Sequence, residues 1–135
     1  MSERVILCVD DEKLIQKSLK RQLTRKYGGQ FVYEFADSPE DALELLEELH
    51  EDGLDTQLII SDWLMPGMKG DEFLVEVHKK YPHIKTIMLT GQADREAIER
   101  ARKEANLNGY IQKPWDEEEL FQNIEQSLGK NGPAE

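Results

Sequence analysis

Five short polar signals in this chain could do chemistry together: Asp10-Asp11-Glu12, Asp37-Ser38, Ser61-Asp62, Thr90-Gly91 and Lys113-Pro114. They supply carboxylates, hydroxyls and one ammonium. Carboxylates brought into one cleft repel each other and stay ionised only beside a compensating cation. Lys113 supplies one positive charge. A hard divalent cation with oxygen ligands would supply more, and Mg²⁺ commonly binds through one or two carboxylates, waters and a phosphate. A thiolate or imidazole zinc site has no support: Cys8 is the single cysteine, and His50, His78 and His83 show no ligand spacing. No glycine-rich phosphate loop is present, which argues against nucleotide binding.

These signals acquire meaning from the elements that carry them. Short apolar runs at Val5–Val9, Phe31–Phe35, Leu58–Ile60, Ile84–Leu89 and Tyr110–Ile111 read as strands. The first, third and fourth are nearly continuous in apolar character, as in parallel strands covered on both faces. Helical stripes lie between and after them: Leu14, Ile15, Leu19 and Leu23; Ala42, Leu43, Leu46 and Leu49; Phe73, Leu74 and Val77; Ala97, Ile98, Ala101 and Ala105; Leu120, Ile124 and Leu128. Ser38 is a predicted N-cap with Pro39 at the first helical position, and Asp116 another, with Glu119 three residues on. Five successive β-α units predict a parallel sheet with helices on both faces and right-handed crossovers. In such sheets ligands bind beyond the carboxyl ends of the strands. All five polar signals fall there.

The bulk properties agree. The chain has 135 residues, enough for one domain with a core, and a net charge of −11 from 17 basic and 28 acidic side chains. That balance argues against a binder of nucleic-acid backbone, which needs a basic face. It suits cations or basic partners, although a solvated acidic surface is the plainer reading. One cysteine permits no internal disulfide. The longest strand-like runs are too short for a signal-peptide core or a membrane span, so the default expectation is a soluble cytoplasmic protein without membrane contact.

Taken singly, each signal has a plainer role. Asp10 and Asp11 could simply open a helix, Thr90 could sit in a turn, Lys113 on the surface, and Tyr110 in ordinary strand packing. Together they carry a resemblance. Val9-Asp10-Asp11-Glu12, Ser61-Asp62-Trp63-Leu64-Met65-Pro66-Gly67-Met68, Leu89-Thr90-Gly91 and Lys113-Pro114 resemble, in order and approximate spacing, the receiver domains of two-component response regulators. The resemblance runs from about Val5 to Leu128. It implies a receiver domain over residues 1–128, with residues 129–135 as a tail or linker.

The resemblance implies the flavodoxin-like (βα)₅ fold, a five-stranded parallel sheet of order 2-1-3-4-5. It makes Asp62 the phosphoryl acceptor, charged by a phosphohistidine of a histidine kinase or phosphotransfer protein. Asp10, Asp11, Asp62 and the backbone carbonyl of Leu64 become the holders of Mg²⁺, for which Mn²⁺ could substitute. Thr90, Gly91 and Lys113 become the phosphoryl-binding groups, Thr90 and Tyr110 the switch pair, and Lys113-Pro114 a cis peptide. The face made by the fourth helix, fifth strand and fifth helix would engage an output protein or a fused effector domain, and a phosphorylation-dependent homodimer is compatible with the same scheme. The chain would then be no dedicated enzyme, but would catalyse its own phosphorylation and a slow autodephosphorylation. Lys69 departs from the acidic residue often found in that loop, and Leu64 and Gln92 occupy positions where the family varies. Two rivals stand beside this reading: a metal-dependent aspartyl-phosphate phosphatase, disfavoured because Asp10 and Asp11 are adjacent rather than two apart, and an interaction module that never accepts phosphate.

Overall fold

The computed structural model describes residues 3–63, 67, 70–91 and 95–129; Leu64, Lys69, Gln92 and most of the expected tail lie outside them. The elements follow one another as β1 (Arg4–Val9), α1 (Lys13–Tyr27), a 3₁₀ turn (Gly28–Gln30), β2 (Val32–Ala36), α2 (Pro39–Glu51), β3 (Asp55–Asp62), α3 (Gly70–Lys80), β4 (Lys85–Thr90), α4 (Arg95–Glu104), β5 (Gly109–Gln112) and α5 (Glu117–Leu128). All neighbouring strands pair in parallel, in the order β2-β1-β3-β4-β5. This is the flavodoxin-like order.

Strand alternation divides the interior into two cores. Leu7, Val9, Ile59 and Met88 point to one face, where Ala42 and Leu46 of α2, Phe73, Leu74 and Val77 of α3, and Ile98 and Ala101 of α4 cover them. Ile6, Cys8, Leu58, Ile60, Ile87, Leu89 and Ile111 point to the other, under Leu19 and Leu23 of α1 and Leu120, Ile124 and Leu128 of α5. Each large side chain so buried contributes about 1.5–3 kcal/mol. These two layers hold the carboxyl ends of β1, β3, β4 and β5 in one row. Cys8 is buried in the second core, where loss of hydration pushes its thiol pKa well above the usual range.

Element boundaries shift where pairing outruns the apolar pattern. β3 starts at Asp55 rather than Leu58, because Asp55 donates its N–H to Glu3 O (2.9 Å) and Arg4 pairs with Asp55. Val5 pairs with Thr56 and Ile6 with Leu58, so the ladder shifts register at Gln57. Phe31, expected in β2, instead precedes it as a packing plug. Its ring meets Tyr27 edge-on at 5.8 Å, and the Arg4 guanidinium lies 4.6 Å from its centre. Gly28 ends α1 at φ 53°, a left-handed value that a β-carbon disfavours.

Ser38 caps α2, its hydroxyl accepting from Asp41 N at 3.1 Å. Asp116 caps α5, but its carboxylate accepts from Glu118 N at 3.4 Å, and no reciprocal bond from Glu119 accompanies it among the described residues. No described helix is long and apolar enough to cross a membrane.

Candidate functional site

The chain ends of β1 and β3 bring two carboxylates inside the protein. Asp10 directly follows β1 and is fully buried; its N–H donates to Ala36 O of β2 at 3.1 Å, which continues the ladder past the strand end. Asp62 is the last residue of β3 and is 5% exposed. Asp11 lies exposed between β1 and α1. One carboxylate oxygen from each of Asp10, Asp11 and Asp62 lies within 4.8 Å of the others.

Lys113 closes this cluster from the far side of the sheet. Its N–H donates to Thr90 O at 2.8 Å, so the β4–β5 pairing aims the residue. Its ammonium lies 3.0 Å from Asp10 Oδ2, 3.1 Å from Asp62 Oδ1 and 3.8 Å from Glu12 Oε1. Asp10 Oδ1 also accepts the Glu12 N–H at 2.8 Å. The Lys113–Pro114 peptide is cis. Thr90 ends β4 and is buried, and the exposed Gly91 follows it.

The electrostatics are those of an under-compensated pocket. Burial pushes the Asp62 carboxyl above the usual carboxylate range, the adjacent Asp10 charge pushes it further, and Lys113 offsets only part. Burial raises Asp10 likewise, against the pull of the Glu12 N–H and of Lys113. Burial alone would lower the Lys113 ammonium, but its bonds and attraction to Asp10 and Asp62 prevail and hold it above the usual lysine range. Three carboxylates against one ammonium leave an excess of negative charge. Oxygen donors, an exposed side at Asp11 open to water, and that excess all fit a hard divalent cation.

Structure also supplies neighbours the sequence reading lacked. Gln16 Nε2 lies 2.7 Å from both Asp10 O and Asp37 Oδ1, and Lys13 Nζ meets the same Asp37 oxygen at 2.7 Å. This rim ties the end of β2 to the pocket. Asp37 was legible as a strand-end residue, whereas Gln16 carried no signal beyond lying one turn past Glu12. Trp115, without an assigned place in the sequence, packs on the α1–α5 core and donates its indole N–H to Gln22 Oε1 at 2.8 Å. Trp63, beside Asp62, packs on the opposite core and donates its backbone N–H to Leu89 O at 2.8 Å.

Tyr110 stands apart from the pocket. It is 42% exposed on β5, with the Arg102 guanidinium of α4 5.5 Å from its ring centre. The expected Leu64 carbonyl ligand and Gln92 fall outside the described residues. The three histidines form no cluster with the acidic group; His50 and His83 line a small cleft at the opposite edge of the sheet, with Asp55 and Tyr81.

The family model for the response regulator receiver domain matches residues 6–125. The chain belongs to that family. Among curated relatives, it is 31% identical over 128 residues to the chemotaxis protein CheY1 of Helicobacter pylori, covering 93% of this chain and 98% of CheY1. It is 32% identical over 130 residues to the hydrogenase transcriptional regulatory protein HoxA of Cupriavidus necator, covering 96% of this chain but 25% of HoxA. The receiver domain of an HD domain-containing protein from Pseudomonas fluorescens superposes with a TM-score of 0.84 at 31% identity, covering 96% of this chain and 97% of that one. This receiver domain therefore matches nearly the whole of one relative and a quarter of another. It is a module of two-component signalling with an acidic pocket suited to a metal ion.

Proposed function

We propose that this receiver domain accepts a phosphoryl group on Asp62 and converts that event into a change of surface. The observation that carries the reading is the convergence of Asp10, Asp11, Asp62 and Lys113 at one sheet edge, with Asp62 in the carboxylate cluster and 3.1 Å from the ammonium. A carboxylate is a poor nucleophile toward a phosphoryl group because like charges repel. Mg²⁺, with Mn²⁺ as a substitute, would be held by Asp10, Asp11, Asp62 and the Leu64 carbonyl, and would offset that repulsion.

The donor is a phosphohistidine of a histidine kinase or phosphotransfer protein. An Asp62 oxygen forms the new O–P bond as the donor's N–P bond breaks, and the imidazole leaves with the bonding pair. Lys113, already 3.1 Å from Asp62, shifts toward the incoming phosphoryl oxygens and stabilises their charge. Thr90 and Gly91 bind the same oxygens from the end of β4. The acyl phosphate adds roughly −1.5 to −2 charge, if it ionises like other phosphoryl modifications. Thr90 moves toward it, and Tyr110 turns inward into the space Thr90 leaves.

The resulting change is read on the α4-β5-α5 face by an output protein, a fused effector domain or a second receiver. In this reading residues 1–128 are the receiver unit, residues 129–135 are a tail or linker, and the protein works in the cytoplasm.

The test is labelling by a small phosphodonor with Mg²⁺. The parent is expected to acquire an acid-labile, hydroxylamine-sensitive phosphate, and Asp62→Asn to fall to background while keeping its circular dichroism. Equal labelling of parent and variant would overturn the assignment.

A further inference from the structure

Charge is sorted between the two helices that flank the sheet's open edge. Along α1 stand Lys13, Lys17, Lys20, Arg21, Arg25 and Lys26, all exposed, with no acidic residue; along α2 stand Glu40, Asp41, Glu44, Glu47, Glu48 and Glu51, all exposed, with no lysine or arginine. The helices lie on opposite faces, since α1 packs with α5 in one core and α2 with α3 and α4 in the other. Both cover β2, one of the two edge strands, whose far side has no strand partner among the described residues. They have similar lengths, 15 and 13 residues, and each runs back from the carboxyl edge of the sheet.

Helical spacing shows which charges look toward that edge. On α1, Gln22, Arg25 and Lys26 touch Trp115, Glu117 and Phe121 on and just before α5. The flank turned away from α5 carries Lys13, Lys17, Lys20 and Thr24. On α2, His50 faces Tyr81, beyond the end of α3, at a ring distance of 6.3 Å. The flank turned away from that contact carries Asp41, the half-buried Leu45 and Glu48, with Glu44 at its outer margin. The charged residues of one outward flank are thus all basic and those of the other all acidic.

We infer that two copies of this chain associate side by side at their β2 edges, with the basic α1 flank of each against the acidic α2 flank of the other. A two-fold axis parallel to β2 exchanges the faces of the sheet while preserving strand direction. It therefore sets α1 beside the partner copy's α2 twice, in an isologous and closed arrangement. Lys17 and Lys20 of one copy then face the acidic flank that carries Glu44 and Glu48 in the other. This pairing goes beyond phosphoryl acceptance and leaves the pocket free.

Salt separates this arrangement from ordinary behaviour by sign. Copies with a net charge of −11 repel, so lowering the ionic strength should drive them apart unless complementary patches meet. Sedimentation velocity of the unmodified protein is expected to show a growing dimer fraction as salt falls from about 0.5 M to about 0.02 M. K17E/K20E and E44K/E48K are each expected to weaken the dimer by at least about tenfold. An equimolar mixture of the two variants, whose four flanks are again complementary, is expected to recover it. Every substituted position is exposed, and circular dichroism checks the fold of each variant. A monomer at every salt concentration, association that strengthens with salt, variants that dimerise like the parent, or a mixture that stays monomeric would each overturn the inference.

Discussion

The two ends of the sheet gather ionisable groups in opposite ways. At the carboxyl edge Asp10, Asp62 and Lys113 are enclosed, with side-chain exposures of 0%, 7% and 15%. At the other edge His83 and Asp55 form a looser contact of 3.8 Å, with exposures of 59% and 44%. Both sites set a basic nitrogen beside a carboxylate. Only the first is denied water, and there Asp10, Asp62 and Lys113 each shift one another's ionisation. An exposed pair is screened and contributes little, whereas an enclosed and under-compensated one creates a demand for a cation or a phosphoryl group.

The largest effect should come from breaking the enclosed side. Lys113→Ala leaves Asp10 and Asp62 buried without their ammonium, and urea unfolding of metal-free protein near neutral pH is expected to show a loss of about 2–4 kcal/mol. In the phosphorylation assay the same variant is expected to retain some labelling but to lose most of the conformational response, followed by the fluorescence of Trp63 beside the acceptor. Next in size is Mg²⁺ itself. At about one hundred times its dissociation constant it should stabilise the parent by about 2.7 kcal/mol, and Asp62→Asn should gain much less.

A smaller effect of opposite sign sharpens the contrast. Asp62→Asn removes a like charge from beside Asp10, so the metal-free variant is expected to be more stable than the parent near neutral pH, by about 1 kcal/mol. The sign follows from the raised carboxyls. A group whose folded pKa lies above its unfolded value contributes stability that is complete below the unfolded value and lost as pH rises through the folded one. The gain should therefore shrink as pH falls into the carboxylate range, which melting curves at several pH values will show. Smallest is His83→Ala at the opposite edge, expected to change stability by less than about 0.5 kcal/mol at any of these pH values. A large effect there would erase the distinction between the two ends.

Much of this was readable before any coordinates. β1, β3 and β4 betray themselves by runs such as Val5–Val9, because a strand buried on both faces has nowhere to place a polar residue. The polar groups after each run were readable as a change of residue type, although folding keeps Asp10, Asp62 and Thr90 buried. The boundary of β3 was not, since Asp55 is drawn into the sheet by a backbone bond to Glu3, and backbone pairing ignores side-chain type. Nor was the role of Gln16, a polar residue on a helix until folding brings its amide to Asp10 and Asp37.

The sequence by itself determined the class of fold, the order of chemical groups along the sheet edge and the type of cation they suit, because periodicity and residue type are local. Tertiary structure alone decided which of those groups lose water and which meet. Asp10 and Lys113 are 103 positions apart in the chain and 3.0 Å apart in space. It also turned Tyr110 outward against Arg102 and placed α1 and α2 on opposite faces of one edge. The physical reason is that burial and charge coupling depend on everything that packs around a group, and those neighbours come from every part of the chain.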